Sequence, residues 1–166
     1  MILKFFELEK KIFEKNKYFL FYGKNKGLIQ ETIQKKIEPL AVGKMHKYEE
    51  SEIIKNKDDF IEKLKNKSFF DKEKFIIIHR ATDKLFKIIE DIVEKNFEDI
   101  FLLLICGELE KKSKLRNYFE KDKNLLCSAF YPDNYQSLIF IVNDFLRNNK
   151  IEISREIINL IIERSQ

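Results

Sequence analysis

Residues 18–29 read Tyr18-Phe19-Leu20-Phe21-Tyr22-Gly23-Lys24-Asn25-Lys26-Gly27-Leu28-Ile29. Five consecutive large aromatic or aliphatic side chains are too few for a helix and too continuous for a strand with one wet face. The run therefore predicts a central strand buried on both sides. It stops at a glycine, crosses a short polar turn and restarts at Leu28 and Ile29, with Ile33 and Ile37 following at helical spacing. A buried strand that turns into an amphipathic helix is the repeating unit of a parallel α/β sheet.

Three further runs have the same character, at residues 75–78, 100–105 and 125–130, and a weaker one at 41–48 predicts a fifth, edge strand. Between them the apolar spacing turns helical: Leu85, Ile88, Ile89, Ile92 and Val93 lie at i, i+3, i+4, i+7 and i+8, and Phe60, Ile61 and Leu64 and then Leu115, Tyr118 and Phe119 repeat the pattern. Strands alternating with helices need crossover connections. The expected fold is α/β, a mostly parallel five-stranded sheet with helices on both faces. Two helices close the chain, residues 135–148, with Asp133 and Gln136 as a capping box, and residues 154–164, with Asn148 and Asn149 marking the break. The expected domains are 1–147, the α/β domain, and 148–166, the first helix of a second, helical one. That helix carries Ile157, Ile158, Leu160, Ile161 and Ile162, more apolar surface than one small contact covers, and reads as the beginning of a larger unit.

The 166 residues suffice for one sizeable core. Lys and Arg number 32 against 28 Asp and Glu, so the surface is heavily charged in both signs, which argues against a dedicated nucleic-acid module. The lysine-rich stretches 63–67 and 111–114 are interrupted by acids or apolar residues and read as solvated faces. Cys106 and Cys127 both lie inside apolar runs, where a thiol behaves as a small hydrophobe, and no disulfide is expected. No run approaches the roughly 20 apolar residues of a membrane span, and Glu7 and Glu9 follow the apolar start too closely for a signal peptide. The expected compartment is the cytoplasm, with no membrane partner.

The Gly23 turn invites comparison with a phosphate-binding loop, whose amides wrap phosphates and whose Lys-Ser or Lys-Thr serves phosphate and magnesium. Here the spacing differs, and Leu28 stands where a magnesium-binding hydroxyl belongs. A hydrolase also needs a carboxylate directly after a central strand. Residues 79–83 read His79-Arg80-Ala81-Thr82-Asp83 instead, with Asp83 displaced and expected to cap the Leu85 helix. Cys106, Gly107 and Glu108 follow the next strand without a water-positioning Asn or Gln. His46 and His79 lack partners at a recognisable spacing, and Glu108 and Glu110 sit among Lys111, Lys112 and Lys114 as surface charge. No catalytic residue, cofactor or metal is expected. Lys67-Ser68-Phe69-Phe70-Asp71 stands apart: adjacent rings on a short turn either anchor a partner protein or close the core beside Leu64 and Phe75, and with 16 phenylalanines to bury the second is favoured on composition.

The chain resembles the delta subunit of the bacterial DNA polymerase III clamp loader along its whole length. The resemblance lies in residues 18–23 and the helix after them, in Ser68-Phe69-Phe70 followed by 74–78 and by Ala81-Thr82-Asp83-Lys84, and in Leu126-Cys127 followed by Tyr131-Pro132-Asp133. Its most specific part runs from Gly107-Glu108-Leu109 through Ser113, Leu115 and Arg116 to Phe119-Glu120. It implies an ATPase fold of the AAA+ type in a subunit that neither binds nor hydrolyses ATP, is no enzyme by itself within the polymerase holoenzyme, and grips the sliding clamp during DNA replication. The implied clamp contact is Ser68, Phe69 and Phe70, which reverses the core reading of the two rings. The implied partners are the sliding clamp, the other loader subunits and, through the complex, DNA. Lys67 and Phe69 depart from the family, which often has an apolar residue and a leucine there. Family members are considerably longer, so the chain is expected to be a fragment without the ring-forming domain. Two other readings are a divergent nucleotide-binding ATPase and a nucleic-acid-binding module.

Overall fold

Among the described residues six strands, not five, form the sheet. They are β1 (Ile2–Lys4), β2 (Tyr18–Gly23), β3 (Met45–Glu49), β4 (Lys74–Ala81), β5 (Ile100–Cys106) and β6 (Leu125–Phe130), in the spatial order β1-β6-β2-β5-β4-β3 with every pair parallel. The computed structural model describes residues 2–4, 7, 8, 13, 15–41, 45–66, 73–97 and 99–164. The extra strand, β1, is three residues at the edge beside β6, with Ile2 largely exposed. Such an edge strand carries no continuous apolar run, which is why the sequence pattern passes over it.

The four long runs are central strands as expected. All six residues of β2 are buried, and their side chains alternate between two cores. Tyr18, Leu20 and Tyr22 join Ile76, Ile78, Leu102 and Leu104 on one face. Phe19 and Phe21 join Phe75, Ile77, Phe101 and Leu103 on the other, where the Phe19 and Phe101 rings stack at 5.0 Å and those of Phe75 and Phe101 at 4.9 Å.

Helices cover both faces. The second core is closed by Ile29 of α1 (Lys26–Thr32) and by Ile33 and Ile37 of the π-helical turn that continues it, Ile33–Ile37. The first is closed by α2 (Glu50–Lys55), α3 (Lys57–Lys65), α4 (Phe86–Glu94) and α5 (Lys114–Lys121), through Ile53, Phe60, Leu64, Ile88, Ile89, Ile92, Leu115 and Phe119. At roughly 1.5–3 kcal/mol for each buried side chain of this size, these faces explain why the helices dock where they do.

The chain divides into two compact units, Met1–Phe130 and Tyr131–Gln166. The second consists of α6 (Tyr135–Asn148) and α7 (Arg155–Arg164). The Tyr135 hydroxyl donates to Asn159 Oδ1 at 2.8 Å, tying the two helices together. The cap of α6 is one residue later than expected. Asn134 Oδ1 accepts from the Ser137 amide at 2.9 Å and Ser137 Oγ accepts from the Asn134 amide at 2.9 Å, a reciprocal box beside which Asp133 Oδ1 accepts from the Ser137 hydroxyl at 3.1 Å. Within this unit Ile162 is buried, while Phe140, Phe145, Ile157, Leu160 and Ile161 are exposed. Among the described residues no helix is long and apolar enough to cross a membrane.

Candidate functional site

In an open parallel sheet, ligands are taken up where the strand order reverses, beyond the carboxyl ends of the strands. That point lies at the end of β2, between β5 and β6. The loop there is closed on the protein itself. The Gly23 amide donates to Gly107 O at 3.0 Å and the Asn25 amide to Phe130 O at 3.2 Å, stitching β2 to the exits of both neighbours. Asn25 Oδ1 accepts from the Leu28 amide at 3.0 Å, capping α1 with a side chain at the place where a phosphate would sit. Gly23 is required by geometry: its φ is +138°, and a Cβ would lie 2.1 Å from Phe130 O. Gly27 has no such demand, its nearest neighbour to a Cβ being Asn25 Oδ1 at 3.8 Å. Lys24 pairs with Glu108 at 3.2 Å and Lys112 with Glu110 at 2.9 Å, both exposed, so neither glutamate pairs with the other.

Beyond β4 the expected role of Asp83 is corrected. The 3₁₀ turn Asp83–Leu85 is capped by Thr82, whose hydroxyl accepts from the Lys84 amide at 3.3 Å. The Asp83 carboxylate reaches across to α5 and accepts from Ser113 Oγ at 2.7 Å and from the Lys114 and Leu115 amides at 3.0 Å each. Burial raises its pKa, but these three hydrogen bonds outweigh burial and hold the carboxyl below its ordinary range. The carboxylate in this position is thus occupied as the anion at the start of a helix. Just before it, Arg80 has φ +54° within an irregular register between Ile78 and Ala81, and pairs with Glu49 at 3.6 Å.

The segment after β5 is organised by Arg116. Its Nε donates to Glu120 Oε1 at 2.7 Å, a second nitrogen donates to Leu109 O at 3.0 Å, and the guanidinium lies 5.1 Å from the centre of the Tyr22 ring. One half-buried side chain therefore joins α5, the loop after β5 and the end of β2. The Glu120 partner lies at i+4 on the same helix, while Leu109 and Tyr22 come from other elements and are not marked by local spacing.

The remaining candidates are structural. His79 stands beside Glu49 across the β3–β4 pair, and burial lowers its pKa although Glu49 pulls the other way. Cys106 and Cys127 are free and buried as expected, and burial pushes both thiols up, Cys127 to about 12. Among the described residues no group of three or more His, Cys, Asp or Glu could hold a metal ion.

Ser68, Phe69 and Phe70, with Lys67, lie outside the described residues. The residues on either side, Asn66 and Glu73, sit at the edge where the strands begin, opposite to the Gly23 loop. Glu73 pairs with Lys17 just before β2, and the Leu102 amide donates to Lys17 O at 2.7 Å. Lys74 donates from its ammonium to Lys63 O, Leu64 O and Asn66 O, a contact the sequence does not announce. Leu64 and Phe75, beside which the core reading placed the two rings, belong to cores on opposite faces of the sheet.

This topology, with a glycine turn and helix following the central strand, defines an α/β fold with a parallel sheet and helices on both faces. Among solved structures the chain is similar to the Bacillus subtilis DNA clamp loader delta protein (YqeN), with a TM-score of 0.69 and 15% sequence identity over 92% of this chain and 49% of that one. At this identity the likeness is one of fold, and the chain spans about half the length of that protein. No protein-family model and no curated protein sequence matches the chain.

Proposed function

We propose that the chain is the leading portion of a non-hydrolysing clamp-loader subunit that binds a sliding clamp and helps to open it. The observation that carries this reading is the similarity to a clamp loader delta protein across 92% of the chain. The Gly23 loop supports it, because the amides of Gly23, Asn25 and Leu28 have protein partners where a phosphate would need them. The proposed contact is Ser68, Phe69 and Phe70, between α3 and β4. Two aromatic side chains entering a hydrophobic pocket supply on the order of 3–6 kcal/mol of gross transfer free energy, of which the part left after the costs of association appears as affinity. ATP then acts on neighbouring subunits, by controlling access to this edge.

The test is titration of the sliding clamp from the same cell against this chain and its Phe69→Ala/Phe70→Ala variant. The reading expects saturable binding that the double variant loses; equal binding by both overturns the site. Titration with magnesium ATP separates the nucleotide reading, which alone expects saturation there.

A further inference from the structure

Among the described residues, nine of the eleven large apolar side chains that are exposed lie in the second unit, residues 131–166, and they are not scattered. On α7, Ile157, Leu160 and Ile161 recur at i, i+3 and i+4, beside the buried Ile162. On α6, Ile141 and Phe145 lie one turn apart, bordering the half-buried Val142. A short connection and the bond from Tyr135 to Asn159 make the two helices antiparallel neighbours, and helical phase then puts both exposed stripes on the same side of their seam. These five side chains are 39% to 60% exposed. Together they leave roughly 400 Å² of apolar surface open, close to the apolar share of the ~800 Å² that each partner gives up in a standard interface. The stripe on α7 also has oppositely charged ends, since Glu156 and Arg164 are both exposed and each stands four residues from Leu160.

We infer that two copies of the chain pair through this face, α7 lying antiparallel on α7 of the second copy about a two-fold axis at Leu160. At 1.5 Å per residue, Glu156 and Arg164 lie about 6 Å to either side of that axis. Glu156 of one copy is then level with Arg164 of the other, and the symmetry makes the pair twice. A parallel arrangement would instead set glutamate beside glutamate and arginine beside arginine. The face thus carries its own complement, in charge as well as in apolar area, which selects a second copy as its occupant. Two helices from each copy form a four-helix bundle, with Leu160 and Phe145 in the layer that neither copy fills alone. The inference goes beyond the clamp-binding reading and does not depend on it.

Sedimentation equilibrium of the 20.1 kDa chain tests it. The mass is expected to rise from that of one chain to that of two as the concentration reaches about 50 μM. Leu160→Glu is expected to keep the single-chain mass over the same range, with an unchanged circular dichroism spectrum because the side chain is already exposed in one copy. Arg164→Glu is expected to weaken the dimer about tenfold, and the exchange Glu156→Arg/Arg164→Glu to recover most of that loss. A single-chain mass for the wild type at about 50 μM overturns the inference and leaves the face to another part of the polypeptide or to another protein. A double mass retained by Leu160→Glu overturns it as well, since the copies then meet elsewhere. An exchange variant no tighter than Arg164→Glu overturns the antiparallel register.

Discussion

Asp83 and Ser113 are 30 residues apart in the chain and 2.7 Å apart in space, the serine hydroxyl donating to the carboxylate. Ser113 in turn accepts from the Arg116 amide at 3.2 Å, so the start of α5 is capped twice, by its own serine and by an aspartate from beyond β4. The exits of two strands are joined through one helix end.

Asp83→Asn keeps one acceptor oxygen and loses the charge, and is expected to lower stability by about 1–2 kcal/mol near neutral pH. Because the folded-state pKa of Asp83 lies below its unfolded value, its contribution is full above the ordinary carboxylate range and fades as pH falls through the folded value. The gap in melting temperature between wild type and Asp83→Asn should therefore be widest near pH 7, narrow as pH falls below the ordinary carboxylate range and close below the folded-state value. A gap that does not change with pH would count against the charge as the cause.

Gly23→Ala and Gly27→Ala should part company. At position 23 an added methyl meets Phe130 O at a backbone angle unsuited to L-residues, and destabilisation of about 3 kcal/mol or more is expected. At position 27, inside α1 and with ordinary spacing to Asn25, the change should be neutral or stabilising by up to about 1 kcal/mol. Urea denaturation of the two variants measures both.

Arg116→Lys retains the charge but not the fork that meets Glu120 and Leu109 together, and should cost about 1–2 kcal/mol; Arg116→Met, which also leaves Glu120 without its partner, should cost more. Equal stability of the lysine variant and wild type would show that charge alone suffices.

Both thiols should resist a disulfide reagent at pH 8 in the native protein and react together on unfolding, giving two equivalents in denaturant. With Cys127 raised to about 12 by burial, native thiolate is scarce and the rate of modification reports global opening.

The central strands and the helical faces were legible because burial on two sides forces continuous apolar runs, and burial on one side forces the 3.6-residue spacing seen at Ile88, Ile89 and Ile92. What escaped depends on partners distant in sequence. β1 is held at the edge by β6 more than 120 residues later, as in the pairing of Ile2 with Cys127. Asp83 has a composition suited to capping, but which helix it caps is decided by the packing of α5 against the turn after β4. Asn134 displaced Asp133 as cap because Ser137, at the right interval, could return the hydrogen bond. Ser68, Phe69 and Phe70 stood out by their adjacent rings and by a resemblance, and Arg116 by the same resemblance and its glutamate at i+4, whereas its reach to Leu109 and Tyr22 and the hold of Lys74 on Lys63 O and Leu64 O depend on the fold.

The contact between Gly23 and Phe130 O has a consequence for how such chains are recognised. Two strands leave the sheet so close together that the first must end in a residue without a side chain, whatever the loop beyond it does. Selection for folding alone would keep that glycine whether or not the loop beyond it binds anything. A glycine at the end of β2 is then a demand of the sheet itself, and its presence alone says nothing of phosphate chemistry.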